Sequence, residues 1–231
     1  MLPYCLPIFL SIFAEPILKR KPQYRHFFLP ALAIICCFLA SMRYVIGFDY
    51  RFYESIFSSI SNSNITAILT SKTIEPGYSF LNLAISLLGG DYRVYLFVYH
   101  LLFTLLVFIW VSRYSPSPWL SIYLFVTLQY FALSMNFLRQ ALAAAIILWI
   151  YPFLKSHRLL SCIAIILLAS AFHRTALVML PLCFLLTLKP TRHHYISAIL
   201  ITVVTYLSMD TVIGVILNFI PKYQHYLTEK Y

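Results

Sequence analysis

Charge is scarce in this chain. Asp, Glu, Lys and Arg together make up only 10% of its 231 residues, and the acids number seven. A soluble domain covers itself with such residues, so a chain that is 61% hydrophobic has too little polar surface for water to be its main solvent. Segments of alternating polarity are also missing, which argues against strands as the spanning elements and leaves helices. Cysteine excludes further classes. Cys5, Cys36, Cys37, Cys162 and Cys183 all lie in apolar runs, with no Cys-x-x-Cys or Cys/His spacing, so neither a disulfide framework nor a metal site is expected. No cofactor is called for. The formal charge of +10 comes without a basic-aromatic nucleic-acid module, so it is read as a membrane-orientation signal, with no nucleic-acid partner.

What the chain has is long apolar runs. A helix rises about 1.5 Å per residue and the hydrocarbon layer is about 30 Å thick, so one span needs roughly 20 mostly apolar residues. About seven runs approach that length, at positions 2–17, 27–42, 92–111, 119–134, 140–154, 159–188 and 195–220, the last carrying Asp210. They predict an all-α, polytopic transmembrane helix bundle of about seven spans, with six to nine as the range. The 159–188 run is interrupted by His173-Arg174 and reads as two short helices meeting there. Residues 76–88 read as a short interfacial or re-entrant helix. The whole of 1–231 is expected to form one integral membrane domain, with 43–91 as an outer-face segment within it.

Loop charge sets the expected orientation. The first run has no basic residue before it and Lys19, Arg20, Lys21 and Arg25 after it, the pattern of a retained anchor with an outward N-terminus. With that loop inside, Arg113, Lys155, Arg158, Lys189 and Arg192 fall inside as well. The frame places 43–91, the Asn136–Arg139 turn and the His173-Arg174 break on the outer face. The Asn64-Ile65-Thr66 acceptor pattern in the same segment is common by chance.

Four polar elements then stand out, because ionisable groups at membrane depth cost about 2.5 to 3.5 kcal/mol and persist where they pair or line a watery cavity. The stretch from Arg43 to Tyr53 sets Arg43, Asp49 and Arg51 among aromatic residues. Glu75-Pro76-Gly77-Tyr78 has the proline of a helix start, with Glu75 beside the positive helix end. Asn136, Arg139 and Gln140 are spaced to share a helix face, ahead of a run of alanines suited to close packing. Phe172-His173-Arg174-Thr175 interrupts about thirty apolar residues. Each also has a plain structural reading: aromatic belt, helix start, polar clamp or loop.

At these places the chain resembles the EpsG family of bacterial exopolysaccharide proteins, related in role to Wzy-type polymerases. The matched elements, in order, are Arg43-Tyr44 with Gly47 and Asp49-Tyr50; Glu75-Pro76 with Tyr78; Asn136 with Arg139-Gln140; and Phe172-His173 with Thr175-Ala176. The resemblance runs from the first helix to about Tyr226, and relative to the family's usual length the chain looks C-terminally short. It implies a glycosyltransferase at the outer face of the bacterial cytoplasmic membrane that joins repeat units carried on undecaprenyl diphosphate, alongside membrane lipids and other polysaccharide assembly proteins. Under that reading Arg139, Arg174 and Arg43 face the diphosphate and Asp49, Glu75 or His173 takes the acceptor's proton. Tyr50, Asn136 and Gln140 support them. Three other classes compete: a transporter or flippase of lipid-linked oligosaccharide, a non-catalytic assembly subunit, and, more weakly, a membrane acyltransferase or protease.

Overall fold

The computed structural model describes residues 2–63, 73–185, 191–209, 211, 213 and 214. Asp210, Asn64 to Thr66 and Lys189 lie outside the described residues. The described residues contain helices and turns and no strand. The chain divides into two units, 1–187 and 188–231.

The first unit holds α1 (Leu2–Arg20), α2 (Arg25–Ser41), α3 (Tyr50–Ser61), α4 (Pro76–Leu87), α5 (Tyr92–Tyr114), α6 (Pro118–Thr127), α7 (Tyr130–Asn136), α8 (Leu138–Ile147), α9 (Ile150–Lys155), α10 (Leu159–Ser170), a 3₁₀ turn (Arg174–Val178) and α11 (Met179–Leu185). The second contains α12 (Arg192–Leu207), capped by Thr191, whose backbone amide donates to His194 Nδ1 at 3.0 Å. His194 is thus part of a helix cap.

Helix α5 is the centre of the first unit. Asp91 starts it by accepting the amides of Arg93 and Val94 at 3.0 Å each, which satisfies two of the four N–H groups a helix start leaves open. Tyr92, Tyr95, Tyr99, Phe103 and Val107 recur at intervals of three and four, so they fall on one stripe, and that stripe is buried. The rings pack on one another: Tyr92 on Tyr95 at 5.8 Å, Tyr95 against Tyr78 at 6.0 Å, and Tyr99 on Phe103 at 6.3 Å. Helix α2 lies along α5, and α3 and α4 close over its N-terminal end. The opposite surfaces stay apolar. Ile34, Phe80, Leu88 and Leu160 are between 61% and 88% exposed, a surface suited to lipid rather than water.

Among the described residues, two helices are long and apolar enough to cross a membrane, Tyr92–Tyr114 and Leu138–Lys155, and a third span results if the bent pair Pro118–Thr127 and Tyr130–Asn136 is taken as one. Within the described residues the expected runs thus appear as two or three helices of spanning length and several shorter apolar ones, among them Phe27–Ser41 and Leu159–Ser170, while most of the 195–220 run beyond 209 lies outside them. The reasons are local. At Gln129 the backbone turns left-handed (φ 66°), and the 119–134 run bends by 53°. Pro152 lacks the N–H that would bond the carbonyl of Leu148, and near it α8 passes into α9 within the Leu138–Lys155 span. The 159–188 run is two helices meeting at a turn over 171–178, as its central His173-Arg174 suggests.

Candidate functional site

The site is built around Glu75, which begins α4 in extended backbone (φ −67°, ψ 141°) with Pro76 in the first turn. Proline suits this position because its missing N–H is one a helix start does not need. Glu75 does not cap its own helix with its side chain. The amides of Gly77 and Tyr78 donate instead to the carbonyl of Ala171, at 2.8 and 3.3 Å, so the turn after α10 closes the start of α4. That approach requires glycine. A Cβ at position 77 would stand 2.8 Å from the Ala171 carbonyl oxygen.

With the helix end satisfied by Ala171, the Glu75 carboxylate turns to other partners. Arg139 Nη1 donates to Oε2 at 2.7 Å, and the Arg174 backbone N–H donates to Oε1 at 3.3 Å. His173 Nδ1 lies 3.2 Å from Oε1, close enough for an ion pair when the ring is protonated, though the ring makes no formed hydrogen bond there. The carboxylate is buried, with 6% of its side chain exposed, against 20% for Arg139. Burial alone would raise its pKa; its own backbone amide, the Arg139 guanidinium and the Arg174 amide outweigh that and hold it below the ordinary value of 4.5. Glu75 is therefore ionised and occupied on both oxygens.

Tyr53 extends the cluster. Its ring packs 5.9 Å from that of Tyr78, and its hydroxyl is raised in pKa by burial, which the neighbouring Arg139 only partly offsets. The Asp49 charge also reaches it, as expected for residues four apart at the start of α3. Asp49 itself is half-buried, and its carboxylate makes no hydrogen bond or ion pair among the described residues. The Arg174 side chain is exposed and likewise makes no ion pair among them. These are the groups left open to a ligand.

A second junction ties the segment before α3 to the break between α7 and α8. Arg43, 4% exposed, donates through Nη1 to the carbonyls of Met135 and, at 3.5 Å, Ile46, and its guanidinium stands 5.8 Å from the Tyr50 ring. Asn136 Oδ1 accepts the amide of Phe48 at 3.1 Å. Tyr99 completes the junction from α5 by donating to the Leu138 carbonyl at 2.8 Å.

Several residues therefore sit elsewhere than their spacing predicts. Asn136, Arg139 and Gln140 do not share a face, because the chain leaves helical geometry at Phe137 (φ −104°, ψ 60°) and the helical period is interrupted. Asn136 faces the 43–48 segment, Arg139 faces Glu75, and Gln140 is exposed with no hydrogen bond among the described residues. Arg43 is a buried clamp on backbone carbonyls rather than an open cation. Glu75 is held by Arg139 rather than free to take a proton. Tyr50 is buried beside Arg43 and supports it. Tyr53 was missed by the motif reading, although its position four residues after Asp49 on a helix marks it.

The second junction makes a test of the fold around the site. Gly47 has φ +106°, and a Cβ there would lie 2.4 Å from Asn136 Oδ1. Gly47→Ala is expected to destabilise the 43–49 segment by about 1 to 3 kcal/mol through backbone strain and displacement of Asn136. Hydrogen exchange should show faster exchange at Phe48, whose amide donates to Asn136, in the variant; unchanged protection would show that the junction is dispensable.

The family model described as EpsG family covers residues 26–231 of the chain. No curated protein and no solved structure matches it.

Proposed function

The chain belongs to the EpsG family, and from that premise we propose that it is a Wzy-like polysaccharide polymerase, a membrane glycosyltransferase that joins repeat units carried on undecaprenyl diphosphate. The observation that carries the reading is the meeting of elements from distant parts of the chain at one place. Glu75, Arg139 and the His173-Arg174 turn are joined by direct contacts, and Asp49 lies within electrostatic reach through Tyr53. In this reading the polypeptide is a bundle of about seven spans in the bacterial cytoplasmic membrane, N-terminus outward, with this cluster at the outer face.

Roles follow from which groups are open. The acceptor hydroxyl attacks the anomeric carbon of the donor glycan as the bond from that carbon to the diphosphate oxygen breaks, and the lipid diphosphate leaves with the electron pair. Asp49 accepts the hydroxyl proton, its carboxylate making no hydrogen bond or ion pair among the described residues. The exposed Arg174 guanidinium meets the charge developing on the diphosphate, a task suited to a planar donor fork. Arg139 supports it from the Glu75 pair. Glu75, with the Arg174 backbone N–H on one oxygen and Arg139 on the other, positions both arginines. His173 beside it is a reserve proton carrier.

Transport of a lipid-linked oligosaccharide is a second reading, favoured by the 53° bend at α6–α7 and the break at Phe137, since discontinuous helices are also used to bind cargo in transporters. One experiment separates the two. In a strain lacking its own polymerase, the unmutated chain should restore a polymer ladder, and Arg174→Lys should shorten it by keeping the charge but losing the two-point contact. Lipid-linked single units should then accumulate on the outer leaflet; accumulation on the cytoplasmic leaflet would favour transport. Orientation is checked independently in a cysteine-depleted background, where cysteines placed at 49 and 174 should react with an impermeant thiol reagent and one at 20 should not. Labelling at 20 alone would remove the outer-face mechanism.

A further inference from the structure

The two helices of spanning length, α5 and the α8–α9 pair, end together. Arg113 and Tyr114 close the first, Tyr151 and Lys155 the second, and between them lies an open cleft of about 380 Å³ lined also by Pro152 and Ser156. That volume lies within the range of roughly 300 to 1,000 Å³ usual for small-molecule sites. It is remote from the Glu75 cluster: Arg139 begins the Leu138–Lys155 helix and Lys155 ends it, about 24 Å apart at the helical rise.

The cleft has walls of fixed position and charge of one sign. Trp149 Nε1 donates to the Leu106 carbonyl at 3.3 Å, and the Arg113 guanidinium rests 5.7 Å from the Trp149 ring centre. Tyr151 packs edge-on against Tyr114 at 5.5 Å and Trp110 at 5.8 Å. Two cations, Arg113 and Lys155, face the opening. No carboxylate lines it, and neither cation makes an ion pair among the described residues. Arg113 is thus oriented by stacking while its N–H groups stay available, and Tyr114, Tyr151 and Ser156 add hydroxyls.

We propose that this cleft is a second anion site, on the membrane face opposite the Glu75 cluster, that binds a phosphate group through Arg113 and Lys155. The ends of two spanning helices set its depth at the lipid headgroups, where a phosphate ester is the abundant anion. A planar guanidinium and an ammonium flanking one opening suit a phosphate oxygen pair, and the aromatic wall suits the apolar remainder of a lipid. The proposal rests on the membrane location and is independent of the polymerase reading.

The full chain is reconstituted in vesicles of zwitterionic lipid, with phosphatidylglycerol titrated in one arm and soluble pyrophosphate in the other. Binding is read from tryptophan fluorescence in a Trp119→Phe background, where Trp110 and Trp149 at the cleft are the emitters, and retained lipid by native mass spectrometry. Removing both charges in Arg113→Gln/Lys155→Gln should weaken binding about thirtyfold, the effect of two basic residues at a lipid surface. Arg113→Lys and Lys155→Arg, which keep the charges, should each retain most of it and guard against misfolding. Arg51→Gln removes one charge from a surface residue already paired with Glu54 and should change nothing. Saturation by phosphatidylglycerol that depends on Arg113 and Lys155 identifies the ligand as lipid; saturation by pyrophosphate alone, with the same dependence, identifies a soluble phosphate. Equal binding by the double variant, or an equal loss with Arg51→Gln, overturns the site.

Discussion

Replacing Asp49 by Asn is expected to reduce polymer formation by about 10² to 10⁴-fold, the range typical for loss of a general base. Amide and carboxylate have nearly the same shape, and Asp49 makes no hydrogen bond or ion pair among the described residues, so the fold has little to lose. Protein level and unfolding temperature in detergent should therefore match the unmutated chain. This pairing of a large catalytic loss with unchanged stability separates a proton acceptor from a structural acid. Asp49→Glu keeps the carboxylate one methylene further out and should recover part of the activity. Full polymer length with Asn at 49 would leave His173 as the remaining candidate for the proton.

The opposite signature is expected at Glu75. Glu75→Gln leaves Arg139 half-buried without its counter-charge and weakens the acceptor for the Arg174 amide, a change of the kind that costs about 3 to 5 kcal/mol when one partner of a buried pair is removed. Arg139 retains 20% exposure, which places the expected cost at the lower end, about 3 kcal/mol. Lower unfolding temperature and faster hydrogen exchange over 75–78 and 171–174 should accompany the loss of activity. Acid titration gives a second readout. The Glu75 carboxyl is held below 4.5, so its stabilising contribution is complete above that ordinary value and is lost as pH falls through the lower, folded one. Glu75→Gln should remove that acid-dependent step. If the variant is as stable as the unmutated chain, the carboxylate is not the organiser of the cluster.

These two acids show how far residue patterns reach. Asp49 and Glu75 look alike in sequence, each an acid just ahead of a helix with a tyrosine within three residues, and both qualify as bases. They differ in what the rest of the chain brings to them. Arg139 is 64 residues from Glu75 and the Arg174 amide is 99, and nothing local announces either contact. The break at Phe137 had a similar effect. Helical spacing puts Asn136, Arg139 and Gln140 on one face, but Phe137 leaves the helix, its neighbours' carbonyls are taken by Tyr99 and Arg43, and the three side chains diverge.

By itself, the sequence determined the solvent and the class of structure: too few charges to face water, apolar runs of helical length, and ordered polar elements sufficient to identify the family. It also located the punctuation, with Pro76 opening α4 and His173-Arg174 dividing the 159–188 run. Those properties follow from composition and from contacts within a few residues. The tertiary structure decided which acid is sequestered, which arginines are clamps and which remain open, and where a cleft lined by Arg113 and Lys155 forms at the far ends of two helices. Such outcomes depend on burial and on partners from distant segments, and the free energy of an ionisable group changes by several kcal/mol according to whether a counter-charge meets it.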